Sequence, residues 1–298
     1  MIHVMTPRTL QHTLAQGQFA VTVELNPPKG TDVSELLETA KSLSGRVHGI
    51  NVPDNAAAVL RASPVAVARL LYEQGHDPVL QLTCRDRNRL GLQSDLLGAH
   101  VLGIRNVLCL TGDSPSAGDH KDAKPVFDLD TVQLMHAVQE LNEGRDLAGN
   151  ALEGRTAFFI GGAAAPGAEP PELLHKKFEA KANAGAEFFQ TQPVFSAKVI
   201  QPFMEAVRPY SRNVLAGVLV LRSIKMAEYV NTHVPGIDVP DEILQELGNA
   251  GDAHVSEAGL EIAVRTIRAV RPFCDGVHLM AGRLAHRLPE IIRKAELS

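Results

Sequence analysis

The sequence predicts an α/β protein with a (β/α)8 TIM barrel fold and extra terminal helices. Eight short apolar runs of strand length alternate along the chain with segments whose apolar residues recur at helical spacing, such as Leu174, Phe178 and Ala182. A length of 298 residues is normal for an eight-unit barrel, and no linker-like or low-complexity stretch divides the chain. We therefore expect residues 1–298 to form a single catalytic barrel domain.

The predicted strands cover residues 21–25, 49–52, 79–83, 106–111, 157–161, 187–192, 214–219 and 276–280. The intervening segments carry helix start signals, for example Ser63 followed by Pro64. Pro202 falls inside the predicted helix 197–207 and removes a backbone donor there, so we expect a kink or a late start.

Composition excludes several classes of partner. The chain has 29 basic and 34 acidic residues, a formal charge of -5, and no basic run, which argues against nucleic-acid binding. It has neither an N-terminal apolar stretch of signal-peptide length nor a run of about 18 apolar residues, so we expect a cytoplasmic protein without membrane contact. Its three cysteines show no CxxC spacing, which fits a reducing compartment and predicts no metal site.

Five polar side chains fall at or just past the end of a predicted strand: Glu24, Asn51, Thr83, Asp113 and Gln192. In a parallel barrel the carboxyl ends of all strands meet at one rim, so these side chains are expected to surround one pocket. Glu24 alternatively forms a structural ion pair, and the Gly-Asp pair that ends in Asp113 is alternatively a plain turn. The polar loop 114–124 after it is either a lid or disordered.

The residues at this rim carry a resemblance to a known family. The segments VELNPPKG (23–30), LTCRDRNRLGLQSDLLGAHVLGIRNVLCLTGD (82–113), AGAEFFQTQPVF (184–195) and VPGIDVPDEI (234–243) resemble the methylenetetrahydrofolate reductase family, in its short bacterial form. The resemblance implies a flavin-bearing barrel that takes a hydride from NADH or NADPH. It implies that the hydride passes to 5,10-methylenetetrahydrofolate, which gives 5-methyltetrahydrofolate.

The resemblance assigns catalytic roles to three residues. Glu24 matches the general acid that assists opening of the folate's five-membered ring, and Asp113 matches the carboxylate between flavin and pterin. Gln192 matches a glutamine that contacts the folate, and Arg283 matches a possible pterin or phosphate ligand. The predicted cofactor is FAD, with FMN or no flavin as alternatives. Its predicted contacts are Asn51, Gln81, Thr83, Leu110, Thr111, Gly112, Asp113, Phe127, Gly161 and Lys181.

The chain departs from the family at the flavin contacts. Gln81 stands where better-known members have histidine, Thr111 stands where they have arginine, and residues 161–166 (GGAAAP) replace a Tyr-Pro-Glu-x-His-Pro stretch. Two alternatives therefore remain beside a flavoenzyme. One is a flavin-free reductase or a reductase subunit fed by a separate electron-transfer partner; the other is a non-redox barrel that binds a folate and hands it to a methyltransferase. A homo-oligomer is a further possibility.

Overall fold

The chain forms a closed barrel of eight parallel strands in which each strand pairs with its neighbours in sequence, β1 with β8 included. The computed structural model describes residues 9–234 and 236–297. The strands are β1 Ala20–Glu24, β2 Gly49–Val52, β3 Pro78–Thr83, β4 Asn106–Leu110, β5 Phe159–Ala164, β6 Phe188–Pro193, β7 Asn213–Leu219 and β8 Gly276–Met280. The predicted barrel is confirmed, and the fifth strand ends three residues later than its predicted end at Gly161.

The helices cover the outside of the barrel and one of its ends. They are α1 Leu10–Ala15, α2 Ser34–Ser42, α3 Pro64–Glu73, α4 Arg89–Val101, α5 Thr131–Asn142, α6 Pro171–Asn183, α7 Ala197–Val207, α8 Ile224–His233, α9 Asp241–Val270 and α10 Leu288–Lys294. Helix α1 is the extra terminal helix, and the connection from β7 to β8 carries two helices. Pro202 lies inside α7, which begins at Ala197, so the late start is not found.

The lower half of the barrel lumen is apolar. A cluster of buried side chains fills it at the amino ends of the strands, and α1 contributes Leu10 and Leu14 to the same cluster. We call its strand residues the apolar layer: Ala20, Val79, Leu108, Phe159, Phe188 and Leu215. The rings of Phe159 and Phe188 stack at 4.8 Å between centroids. Because this end is packed and capped, the open end of the barrel is the carboxyl end of the strands.

Above the apolar layer, four polar side chains cross the lumen and bond to one another. Asn51 and Gln190 exchange two hydrogen bonds of 2.7 and 3.0 Å between opposite strands. Gln190 Nε2 also donates to Thr22 Oγ1 at 3.1 Å, and Thr22 Oγ1 lies 3.0 Å from His278 Nδ1. We call Thr22, Asn51, Gln190 and His278 the polar layer. Each is at most 3% exposed, so their mutual bonds offset the cost of burying them.

A carboxyl group ties α1 to the amino end of the barrel. Asp77 accepts hydrogen bonds of 2.8 Å from the backbone N–H of Leu10 and from Asn106 Nδ2. Burial nevertheless raises the pKa of Asp77 to about 6, since these donors compensate only in part for its desolvation.

The raised pKa of Asp77 predicts a pH-dependent stability. The folded state keeps the proton of Asp77 up to a higher pH than the unfolded state, in which the pKa has its ordinary value of 3.8. The stability that this proton contributes is therefore fully present below about pH 4 and is lost as the pH rises through about 6. The loss amounts to at most about 3 kcal/mol. Urea unfolding of the wild type and of Asp77→Ser at pH 4.5 and 7.5 measures it. The difference between the two proteins should change by more than 1 kcal/mol, and an unchanged difference contradicts the prediction.

Candidate functional site

A cavity of about 330 Å³ opens at the carboxyl ends of β2, β3, β4 and β6. We call it the rim cavity. Seven residues predicted from sequence line it: Gln81, Thr83, Leu110, Thr111, Gly112, Asp113 and Gln192. The rest of its wall comes from Arg85 and from Asp54, Asn55, Ala56 and Ala57 in the loop after β2. Side chains from four strands and their loops therefore meet around one space, as the barrel geometry predicts.

Glu24 lies at the end of β1 in contact with a wall residue of the rim cavity. Its Oε2 accepts a hydrogen bond of 3.3 Å from Gln81 Nε2, and its Oε1 accepts one of 3.4 Å from Asn26 Nδ2. His278 Nε2, on the upper side of the polar layer, lies 3.9 Å from Oε2. About 21% of the Glu24 side chain is exposed. Glu24 is thus held in place by neutral amides while one part of it reaches solvent.

Asp113 and Gln192 face this space from other sides. Asp113 follows Gly112, whose φ of +88° brings the backbone close to β3; a Cβ there would lie 3.0 Å from the Cβ atoms of Thr83 and Arg85. Glycine is favoured at this position because L side chains rarely adopt this φ and because a Cβ would force its neighbours to shift. Asp113 and Gln192 are exposed, so their carboxylate and amide are available to a ligand.

Three predicted cofactor contacts lie elsewhere. Asn51 belongs to the polar layer below the rim cavity, and its amide is used by Gln190. Gly161 lies within β5, where a Cβ would come within 2.3 Å of the Phe188 ring, so it makes room for the core. Phe127 is 40% exposed in the loop after β4, with φ of +41°, and its N–H donates to the Cys84 carbonyl. Arg283 is exposed in a turn after β8.

A second cavity, of about 250 Å³, adjoins the rim cavity at Gln192, which lines both. We call it the lysine cavity because Lys177 and Lys181 line it, together with Ala163, Ala164 and Ala165 of the predicted glycine-alanine segment. Lys181 Nζ donates to the Ala163 carbonyl at 2.6 Å. Burial, and then the charge of Lys177, lower the pKa of Lys181. An anionic ligand would relieve the repulsion between these two ammonium groups.

The sequence did not single out the most buried charges of the site. The Asp54 side chain is fully buried and accepts bonds from the N–H and Oγ1 of Thr83 at 3.0 and 2.8 Å, and from Arg87 Nη1 at 2.8 Å. Arg85, 2% exposed, bonds to Asp86. A signal was present in the sequence, since Asp54 closely follows β2 and the Arg-Asp-Arg stretch 85–87 follows β3 after Cys84. Neither segment alone predicts an ion pair, because its partner comes from another strand end.

The loop 114–124 makes contacts with two neighbouring loops. Lys29 of the β1 loop forms an ion pair with Asp119, whose other oxygen accepts the N–H of Leu60 at 3.2 Å. The hydrogen bond from Lys29 holds the pKa of Asp119 well below its usual range. Gly118 packs directly on Ala58, because a Cβ at Gly118 would lie 1.8 Å from the Ala58 carbonyl oxygen. The loop therefore braces the wall of the rim cavity.

Two absences concern the described part of the chain, residues 9–234 and 236–297. No group of three or more His, Cys, Asp or Glu side chains there is arranged to hold a metal ion. No helix in those residues combines the length and the apolar character that a membrane span requires.

Fold and site together define a parallel βα barrel with a candidate small-molecule site at the carboxyl ends of its strands, where carboxylate and amide groups surround a cavity. A family profile described as methylenetetrahydrofolate reductase matches residues 9–296. The chain belongs to the methylenetetrahydrofolate reductase family, which confirms the resemblance found in the sequence.

Two curated relatives carry matching names. A probable methylenetetrahydrofolate reductase (NADPH) of Caenorhabditis elegans is 24% identical over 97% of this chain and 44% of its own length. Methylenetetrahydrofolate reductase 2 of Schizosaccharomyces pombe is 27% identical over 71% of this chain and 34% of its own length. The chain thus spans less than half the length of either relative.

Solved structures show the same fold at low sequence identity. An uncharacterized protein from Clostridium thermocellum, described as binding two copies of 5-methyl-5,6,7,8-tetrahydrofolic acid, has a TM-score of 0.65 and 15% identity, covering 97% of this chain and 98% of its own. Tryptophan synthase of Mycobacterium tuberculosis has a TM-score of 0.51 and 11% identity, covering 96% and 92%. At these identities the likeness establishes the barrel fold.

Proposed function

We propose that this protein is a methylenetetrahydrofolate reductase that transfers a hydride from NADH or NADPH, through a flavin, to 5,10-methylenetetrahydrofolate and releases 5-methyltetrahydrofolate. The observation that carries the proposal is that Asp113 and Gln192 line one cavity of a chain in this family and that Glu24 bonds to Gln81 in the wall of the same cavity. The names of the curated relatives and the folate bound by the Clostridium thermocellum protein support it.

Glu24 acts as the general acid in this proposal. Opening the five-membered ring of the substrate requires a proton on the departing ring nitrogen, and a carboxyl group at the edge of the cavity supplies it. The amide of Gln81 orients Oε2 without competing for that proton, since its N–H is a donor. The direction of the carboxyl group is therefore fixed before the substrate arrives.

Asp113 and Gln192 handle charge and orientation. Opening of the ring leaves a positive charge on the iminium, and the Asp113 carboxylate stabilises that charge from the cavity wall. Gln192 offers both a donor and an acceptor, which matches the alternating groups on the edge of a pterin ring. Arg283 remains a proposed ligand of the folate.

The residues of the two cavities fit a flavin. The rim cavity offers a planar ring polar groups and a backbone that comes close to the ligand space, from Gln81, Thr111, Gly112 and Asp113. On the other side of Gln192, the lysine cavity offers a phosphate the ammonium groups of Lys177 and Lys181. A flavin held by these residues would supply the hydride chemistry between the nicotinamide and the folate. Asn51, Phe127 and Gly161 lie outside both cavity walls, so this fit does not rest on them, and their contacts with a flavin stay predictions.

A second candidate is reduction without a tightly held flavin, with a separate electron-transfer chain as one form of it. The alanines 163–165 favour this candidate, since their methyl groups offer an adenine no hydrogen bond, and the Phe178 ring in the same wall is already stacked on Phe189. The proposed location is the cytoplasm. The proposed partners are a second copy of this chain, in a homo-oligomer, or a separate methyltransferase that takes up the product.

An absorption spectrum of the purified protein tests the proposal. We expect a band near 450 nm, as oxidised flavins show, after incubation with FAD or FMN, and bleaching of that band by NADH or NADPH under anaerobic conditions. The Lys181→Met variant should lose flavin affinity by roughly tenfold or more, because one phosphate contact is worth about a tenfold factor. Lys176→Met, an exposed neighbour on α6, is the matched control. A protein that oxidises NADH with folate yet stays colourless would favour the second candidate.

A further inference from the structure

The loop that forms one wall of the rim cavity has an unusual backbone. We call residues 54–58, which follow β2, the strap. Asn55, Ala57 and Ala58 have φ angles of 48°, 55° and 55°, all in the left-handed region. Asparagine tolerates this region, whereas each alanine there lowers the population of the conformation by roughly tenfold. Without outside contacts the strap would leave this conformation, so its surroundings must hold it.

One contact holds the strap from inside the barrel. The guanidinium of Arg85 donates to the carbonyl oxygens of Asp54 and Asn55, both at 3.3 Å, and its Nη1 lies 3.5 Å from the carbonyl oxygen of Asp113. Its two remaining bonds go to the carboxylate of Asp86, which keeps the planar group oriented. A single buried cation thus joins the strap to the backbone of Asp113.

A second contact holds the strap from outside. Gly118 of the β4 loop lies against Ala58, and there is no room for a Cβ between them. Asp119, next to it, accepts the N–H of Leu60 just past the strap and pairs with Lys29. Gly118 has a φ of -98°, which any residue can adopt, so glycine is required there by the contact with the strap and not by its own conformation.

From these contacts we propose that Arg85 and Gly118 are positioning residues that hold the strap in the conformation that grips the ligand of the rim cavity. Asn55, Ala56 and Ala57 of the strap line that cavity, so a shift of the strap changes its width. The same guanidinium keeps Asp113 at its position across the space. The inference about the ligand rests on the proposed folate function, while the inference about the strap itself does not.

Substitution of Gly118 is the first test because Gly118 is outside the cavity wall. Gly118→Ala should weaken the binding of 5-methyltetrahydrofolate, measured by titration calorimetry, by at least tenfold while the melting temperature shows a folded protein. Gly98→Ala is the matched control, since Gly98 lies in α4 and a Cβ there meets no atom within 4 Å. Binding within twofold of wild type in a folded Gly118→Ala protein overturns the proposal.

Arg85→Lys is the second test, because lysine keeps the charge and lacks the fork that reaches three carbonyl groups. We expect a loss of affinity of tenfold or more. Adding Ala57→Gly and Ala58→Gly should recover at least threefold of that loss, since glycine adopts positive φ without penalty. A merely structural role of Arg85 predicts no recovery, and that result counts against the strap.

Hydrogen exchange separates failure of this inference from failure of the proposed function. Amides of residues 54–62 should exchange faster in Gly118→Ala and Arg85→Lys than in wild type or Gly98→Ala, with no ligand present. Absence of folate binding by the wild type would refute the proposed function and leave this readout intact. Unchanged exchange in both variants would refute the role of Arg85 and Gly118.

Discussion

Replacement of Glu24 by glutamine is expected to lower the turnover of 5,10-methylenetetrahydrofolate by a factor of roughly 10² to 10⁴, the usual contribution of a positioned general acid. Glutamine has the same shape as glutamate and keeps one oxygen that accepts from Gln81, while its NH2 group faces Asn26, whose amide can turn its oxygen toward it, so the cavity wall should remain intact. What is lost is the proton that the ring nitrogen takes. The measurement is kcat with folate as the acceptor, beside NADH oxidation with an artificial quinone acceptor.

The two activities should respond differently to Glu24→Gln. Oxidation of NADH by the quinone does not involve the folate ring and should stay within about threefold of wild type, whereas folate reduction should collapse. Glu35→Gln, an exposed position in the first turn of α2, serves as the control and should leave both activities unchanged. Folate turnover near the wild-type rate in Glu24→Gln would remove the general-acid role.

Replacement of Asp54 by alanine is expected to destabilise the folded protein by about 3 kcal/mol or more, because it leaves a buried charge network without one partner. The carboxylate is fully buried and accepts bonds from Thr83 and Arg87. Its loss strands a buried N–H and a hydroxyl at the end of β3. The free energy of unfolding, measured in urea, gives the effect.

Arg87 provides an internal control for Asp54→Ala. The same guanidinium pairs with Asp95 at 2.7 Å, and the Asp95 side chain is 39% exposed. Asp95→Ala should therefore cost no more than about 1 kcal/mol, as exposed pairs do. Equal losses for the two variants would show that burial of Asp54 is not the source of its importance.

The barrel was predictable because its strands are apolar and separated by amphipathic helices, and β5 shows where that signal fails. Its residues Gly161, Gly162, Ala163 and Ala164 have little intrinsic preference for a strand, and the ladder with β6 extends it to Ala164. The resemblance places Gly161 among the flavin contacts, and that contact stays a prediction. What the barrel shows is that Gly161 packs against Phe188 of the next strand, a contact which no local pattern reveals.

The site residues divide according to height in the lumen. Thr83 at the end of β3, Asp113 just past β4 and Gln192 in β6 line one cavity, as their positions at strand ends predict. Asn51 also ends a strand, yet it lies a layer lower and bonds to Gln190. Strands in a barrel are staggered along its axis, and that stagger is not encoded in any one strand. The pairing of Asp54 with Arg87 was hidden for a related reason, since the two residues come from different strand ends.

The polar layer of Thr22, Asn51, Gln190 and His278 forms the floor of the lumen that opens at the carboxyl ends of the strands. Below it the lumen is packed with apolar side chains, so a molecule that reaches Glu24 enters and leaves by the same mouth. Two reactants that bind at Glu24 must therefore bind in succession, or one must bind beside the other near Gln192. Reactant and product share one opening, so a product that dissociates slowly delays the binding of the next reactant.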